Sequence, residues 1–354
     1  MHGGNIYDNC VRLDFSVSIN PLGIPEEVER ALSASLCHAD CYPDPENRAL
    51  RDALAERFQL TPGKILVGNG ASELIPSIVR AVQPKSALLV SPCFSGYERA
   101  LAAAGITPCL FPLKEEQGFV PGEDFLVALE REKPGIVFLA NPANPSGALT
   151  KRGFLLAAAG LLAAWDGVLV CDECFLALSG RKEESVLAKP EEFLKRANLV
   201  MLNAFTKTFA IPGIRIGFAA FSSEELAEKT ALQLPEWNLS VPAEEAGLAC
   251  LSVPDSYLKD SVTLIRRERA ALAKALTDLG ASAYPSEGNF LLFRWNRDQD
   301  LYQILLDQGI LIRDCRDYRG LSKGYYRIAV RRKEENAELI RCLAGIAGKG
   351  IPWA

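Results

Sequence analysis

Histidine is nearly missing from this chain, with two in 354 residues. That leaves no material for a histidine-built metal site or a histidine-based catalytic triad. Positive charge is not in surplus either: the formal net charge is −5, which argues against a nucleic-acid surface. No apolar run is long enough to span a bilayer, the longest being FLLAAAGLLAAW at 154–165. Asp8, Arg12 and Asp14 break up the first twenty residues, so a secretory apolar core is not expected there and a cytoplasmic protein is. Internal repeats and low-complexity segments are lacking, and no DNA-binding segment is expected to fit before residue 13.

Cysteine, by contrast, is plentiful. Cys37 and Cys41 lie close together, and Cys171 and Cys174 form a CxxC. Four thiolates could bind zinc, but the second pair falls in VLVCDECF, which reads as a buried strand. Scattered cysteines in such a chain are small buried hydrophobes, and no metal is expected. Hydrophobic residues make up 49% and charged residues 23%, the balance of a globular protein with a sizeable core.

Runs of Val, Ile and Leu alternate with helical patterns from residue 64 to residue 205. KILVGNGASELIPSIVRAV (64–82), ALLVSPCFSGYERALAAAG (87–105) and GIVFLANPANPSGALT (135–150) each read as a strand and a turn leading toward a helix. GVLVCDECFLAL and NLVMLNAF supply further strands. The pattern predicts an α/β fold with a mostly parallel sheet covered by helices on both faces. After residue 220 come long charged helices, then alternating pieces such as NFLLFRW and YYRIAVR, which predict a smaller α+β domain. The expected division is an N-terminal arm at 1–25, a large domain at 26–235 and a small domain at 236–354.

One stretch organises the rest: NAFTKTFAIPGIRIGF, residues 203–218. Lys207 follows an apolar strand, where desolvation would lower its pKa and make the amine a Schiff-base nucleophile. Many lysines at strand ends simply reach solvent, so this residue decides nothing alone. Ligands of open α/β sheets bind beyond the carboxyl ends of the strands. Gly70, Ala71, Ser72, Phe94, Asn144, Asp172 and Lys207 all follow apolar runs. The Gly70–Ser72 turn suits a phosphate at a helix N-terminus, or is an ordinary glycine turn with Ser72 as its cap. Thr206 and Arg215 could add a hydroxyl and a cation. Asp172, between hydrophobic residues, needs a cationic partner such as a protonated pyridine nitrogen. Asn144 could donate to a phenolic oxygen, and Phe94 could stack on a ring. Together these describe pyridoxal phosphate.

VGNGASELI, NPANPSG, CDECF and TKTFAIPGIRIG resemble the aspartate-aminotransferase (fold type I) superfamily of pyridoxal-phosphate enzymes. The HGGN start, LDFSVSINPLG and GILIRDCRDYRGLSKGYYRIAVR (309–331) are similar to its threonine-phosphate decarboxylase subgroup, next to the histidinol-phosphate aminotransferases. The resemblance implies a seven-stranded, mostly parallel sheet and a pyridoxal 5′-phosphate cofactor. Lys207 would carry the cofactor as a Schiff base, and Asp172 would pair with its ring nitrogen. Asn144 would bond the ring hydroxyl and Phe94 would stack. Gly70, Ala71, Ser72, Thr206 and Arg215 would hold its phosphate. Arg327 would take the substrate carboxylate and Arg313 the substrate phosphate, with His2 and Asn20 closing that site. Tyr42 would reach the cofactor of a neighbouring subunit, implying a homodimer. Two positions depart from the superfamily: Phe175 stands where aminotransferases place a tyrosine, and Ala204 where many relatives have a hydroxyl.

Overall fold

The computed structural model describes residues 3–348. Its strands are β1 (Leu13–Asp14), β2 (Ile65–Gly68), β3 (Ala87–Ser91), β4 (Cys109–Pro112), β5 (Ile136–Ala140), β6 (Val168–Asp172), β7 (Leu199–Ala204) and β8 (Gly217–Phe221). Five shorter or later ones follow: β9 (Ser282–Ala283), β10 (Phe290–Arg294), β11 (Ile310–Leu311), β12 (Arg313–Asp314) and β13 (Tyr325–Ala329). Strands β2 to β8 make one seven-stranded sheet in the order β2–β8–β7–β6–β5–β3–β4. Its neighbours run parallel except β8, which is antiparallel to both β2 and β7. Neither β4 nor β8 stood out in the sequence, because CLFP is short and exposed and GFAAF follows the conspicuous lysine run.

Both faces of this sheet are covered. On one side Val67, Val90, Val137, Leu139 and Cys171 join helix residues such as Leu155 and Leu162; on the other Leu89, Phe138, Val170 and Leu202 join Leu74, Ile78 and Tyr97. Two buried faces account for the continuous apolar runs that mark these strands in the sequence. Helices Ala71–Val82 and Ser95–Ala103 start at the carboxyl ends of β2 and β3. After β5, by contrast, the chain stays irregular until the helix Arg152–Leu162, so the strand–turn–helix pattern expected over 135–150 is stretched. There Asn141 is fully buried, and its amide exchanges hydrogen bonds with the Thr150 backbone at 3.0 and 2.8 Å.

A second core lies against a four-stranded antiparallel sheet, β12–β13–β10–β9. The helix Val241–Ser252 begins just after the expected 235/236 boundary, yet its Ala243, Ala246 and Cys250 sit in the large-sheet core. Residues of the second core begin at Leu272, inside the helix Asp255–Asp278. The N-terminal segment joins this core too: Phe15 is fully buried in it, and β1 pairs in parallel with β11. No helix among the described residues is long and apolar enough to cross a membrane.

Candidate active site

A cavity of about 250 Å³ opens between the carboxyl edge of the large sheet and one face of the small one. Ala71, Ser72, Phe94, Asn144, Asp172, Thr206, Lys207 and Arg215 line it from the large sheet, and Arg313 and Arg327 from the other side. Residues from 71 to 215 converge because parallel strands end on one edge, while β12 and β13 bring Arg313 and Arg327 from the small sheet.

Lys207 lies in the one-turn helix Phe205–Thr208 at the end of β7. Burial, then the nearby Arg327, pushes its amine down to about 8. Its Nζ stands 6.0 Å from the centroid of the Phe175 ring. At that pKa a sizeable fraction of the amine is neutral near pH 7–8, as a Schiff-base nucleophile requires.

Asp172 is buried at the last position of β6. Its Oδ2 accepts from the Tyr97 hydroxyl at 2.7 Å and its Oδ1 from the Cys174 amide at 3.1 Å. Burial first, then this carboxylate, raises the Tyr97 hydroxyl well above its ordinary pKa, so it stays a donor. No lysine or arginine among the described residues forms an ion pair with Asp172. A buried carboxylate with two donors and no cation fits a pyridinium partner.

The helix Ala71–Val82 has Gly70 as its N-cap and no side-chain cap, so Ser72 is not the cap. Its hydroxyl instead accepts from Arg215 Nη2 at 3.0 Å. Gly70 is required here, with φ +78 and the place of a Cβ only 2.7 Å from Arg215 Nη2. Uncapped amides, a hydroxyl and a guanidinium form a cup suited to phosphate. Phe94 folds back over Gly96, where a Cβ would stand 2.2 Å from its ring. The Asn144 Oδ1 accepts from Arg327 Nη1 and, at 3.3 Å, from the Tyr318 hydroxyl. That arrangement leaves its NH₂ group as the donor available to a phenolic oxygen. Every group fits pyridoxal phosphate.

Arg313 and Arg327 are direct partners across the β12–β13 pair, which puts both side chains on one face. They are 6% and 7% exposed, and like charges facing each other at that burial oppose folding. Arg327 donates Nη2 to the Ser16 carbonyl at 2.8 Å, while its buried Nε has no partner. Among the described residues no carboxylate pairs with it. Arg313 pairs with Asp317 at 2.8 Å and stacks on Tyr318, with its guanidinium carbon 4.9 Å from the ring centroid.

Of the expected residues, Gly70 caps the phosphate helix without lining the cavity, and three others stand elsewhere. Asn20 is buried outside the cavity: its backbone N–H donates to the Lys207 carbonyl at 2.9 Å, and its Nδ2 donates to the Thr208 carbonyl and to Ser261 Oγ. Its amide is spent holding the lysine turn, so it makes no substrate contact here. Tyr42 is 84% exposed beside Trp237, with ring centroids 5.4 Å apart, and does not line its own chain's cavity. His2 lies outside the described residues. Conversely Tyr97, Tyr318 and the Ser16–Ser18 segment line the cavity without having been picked out. For Tyr97 the signal was its place three residues after Phe94 at the start of the same helix; Ser16–Ser18 and Tyr318 lie inside stretches that carried the family resemblance.

The aminotransferase class I and II family model matches residues 12–343. The chain is 34% identical to a threonine-phosphate decarboxylase of Salmonella typhimurium, covering 98% of this chain and 96% of that one. Among solved structures, the histidinol-phosphate aminotransferase of Clostridium acetobutylicum superposes with a TM-score of 0.87 at 27% identity, covering 95% of this chain and 99% of that one. The L-threonine-O-3-phosphate decarboxylase of Porphyromonas gingivalis gives 0.82 at 27% identity, covering 95% and 100%. The chain belongs to the aminotransferase class I and II family, and it is a pyridoxal-phosphate-dependent enzyme of the fold type I architecture.

Proposed function

We propose that this enzyme decarboxylates L-threonine O-3-phosphate to (R)-1-amino-2-propanol O-2-phosphate, the amino-alcohol unit of the cobamide nucleotide loop. The supporting observation is the pair of buried arginines facing one another across β12 and β13, on the wall opposite Lys207. Two adjacent cation sites suit a substrate with two anionic groups, a carboxylate on Arg327 and a phosphate on Arg313. Relatives with threonine-phosphate decarboxylase names agree with this reading.

The cofactor, when bound, supplies an electron sink for the electron pair released at the substrate α-carbon. Asp172 keeps the site negative where the ring nitrogen is held protonated, and Tyr97 and the Cys174 amide keep that carboxylate fixed. Arg313 and Arg327 would anchor the two ends of the substrate and so fix how its α-carbon is presented to the cofactor. Lys207 Nζ, facing the cavity, would carry the proton returned to the α-carbon after CO₂ leaves.

A histidinol-phosphate-type transamination is the competing reading, favoured by relatives such as the 31% identical enzyme of Caldanaerobacter subterraneus. There Lys207 would deliver its proton to the cofactor instead. Serine O-phosphate differs from threonine O-phosphate by one methyl, worth only ~1–3 kcal/mol to a pocket. The deciding experiment incubates purified holoenzyme with threonine phosphate while following CO₂ and the cofactor spectrum. Catalytic CO₂ release with an unchanged cofactor supports decarboxylation; conversion to the pyridoxamine form without CO₂ overturns it.

The enzyme is further proposed to act as a cytoplasmic homodimer. Tyr42 and Trp237 are exposed beside Asn238, whose carbonyl accepts from Asn69 Nδ2 at the rim of the phosphate cup. A second subunit placed there would bring Tyr42 to the neighbouring cofactor. Ten unpaired cysteines agree with a reducing compartment.

A further inference from the structure

Asn238 does not line the cavity, yet it is bonded to every part of the turn that carries the phosphate cup. Its Nδ2 donates to the Val67 carbonyl in β2 and to Glu73 Oε2 in the helix Ala71–Val82, both at 3.0 Å. Its own carbonyl accepts from Asn69 Nδ2, also at 3.0 Å, in the turn between them. The Asn69 backbone N–H closes the set, donating to the same Glu73 oxygen at 2.7 Å. Both hydrogens of Nδ2 are used, and Oδ1 accepts from Asn47 Nδ2 at 3.2 Å. One half-buried side chain thus ties strand, turn and helix together.

The residue before it shows what this placement costs. Trp237 has φ +52, a left-handed conformation that opposes a bulky side chain. Such an outlier points to the neighbour it places, and here the neighbour is Asn238. Glu73, its partner on the helix, is the third residue after the N-cap Gly70. An acid in the first turn is drawn to the free N–H groups there. Held by Asn69 and Asn238, the carboxylate stands instead toward Gly68, where a Cβ would come within 3.1 Å of Oε2.

We propose that Asn238 is a positioning residue for the cofactor phosphate. It staples the turn from Val67 to Glu73, so that the first amides of the helix are held open and aimed at the phosphate. The proposal concerns the cofactor, and is the same for decarboxylation and transamination. It rests on the reading of Ala71, Ser72 and Arg215 as the phosphate cup. Because Asn238 acts on the cup alone, its effect should vanish for pyridoxal, which has the same ring and aldehyde but no phosphate.

The test is equilibrium dialysis of the full chain, stripped of cofactor, against pyridoxal phosphate and pyridoxal in parallel. Asn238→Ala should weaken pyridoxal phosphate roughly tenfold, as loss of a hydrogen bond to a charged group does, and leave pyridoxal unchanged. Asn238→Ser, a bond shorter than the native side chain, should act alike and serves if the alanine variant does not fold. An equal loss with both ligands would show general damage to the pocket and overturns the proposal. Unchanged binding of both would mean that the turn holds its shape without the staple, and also overturns it. Arg215→Ala separates the two readings, and should likewise weaken pyridoxal phosphate while sparing pyridoxal. If it spares both, the cup reading itself fails and takes the proposal with it. An effect of Arg215→Ala without one of Asn238→Ala keeps the cup and overturns the proposal alone.

Discussion

On one wall of the cavity, Asp172, Thr206, Lys207 and Ala71–Ser72 follow the ends of β6, β7 and β2 in a single sheet. On the other, Arg313 and Arg327 stand side by side within a small antiparallel sheet that faces this edge. Groups on the first wall hydrogen-bond one another, Asp172 with Tyr97 and Ser72 with Arg215. The second wall keeps two like charges adjacent and leaves a buried Nε of Arg327 without a partner. The first wall holds its side chains in place for a resident cofactor, while on the second Arg327 has no carboxylate among the described residues until a transient substrate brings one. Buried, uncompensated charge of that kind opposes folding, and is retained where binding uses it.

The contrast can be broken most sharply at Lys207. Lys207→Ala should remove the Schiff-base absorption band and lower kcat by at least about 10³-fold. A surviving band would show that another amine carries the cofactor. Arg327→Ala comes next, with kcat/KM falling by roughly 10²-fold, as truncation of a buried charge contact does. The cofactor band should survive. Thermal stability should change little, because relief of the repulsion between adjacent arginines offsets the hydrogen bonds lost to Ser16 and Asn144. A large fall in melting temperature would place Arg327 among structural residues instead, and erase the distinction between the walls.

A smaller effect connects the two. In cofactor-free protein Lys207 has a pKa near 8 against 10.5 ordinarily, so between those values the unfolded chain binds more protons than the folded one. Stability therefore rises with pH across that window, because the buried amine no longer has to be charged. The rate of cofactor capture should rise with pH through about 8, as the neutral amine becomes available. Arg327 is among the causes of the depression, so Arg327→Ala should move the midpoint of capture upward. Stopped-flow absorbance across a pH series reads it, and an unmoved midpoint would mean that the walls do not communicate.

The two walls also differed in how far the sequence disclosed them. Lys207, Asp172 and the Gly70 turn follow apolar runs, and a parallel sheet brings every such strand end to one edge. Local pattern was enough. Arg313 and Arg327 sit among other charges in 309–331, and their pairing is set by strand register, which no local signal carries. Family resemblance pointed to them. Asp317 and Tyr318 lie in the same stretch but were given no role, since their contacts depend on how the loop folds back over Arg313. Asn20 is the reverse case: the resemblance implied a place at the substrate, while its amide donates to the Thr208 carbonyl and to Ser261 Oγ.

The finest adjustment lies in the phosphate cup. Ala204 is 5% exposed, ends β7 and lines the cavity where many relatives carry a hydroxyl. Ala204→Ser would add one donor facing the cofactor phosphate, a charge-assisted bond worth about 1.5 kcal/mol or somewhat less, and so roughly tenfold or a little under in cofactor affinity. Without cofactor the same hydroxyl is a buried group in search of a partner, so the cofactor-free protein should lose a little stability. Equilibrium dialysis of pyridoxal phosphate and paired melting curves would separate the two effects. Tighter cofactor binding with a less stable cofactor-free fold is the expected combination. If affinity does not change, the existing amides, Ser72, Thr206 and Arg215 already saturate the phosphate, and the first wall is as complete as its hydrogen bonding indicates.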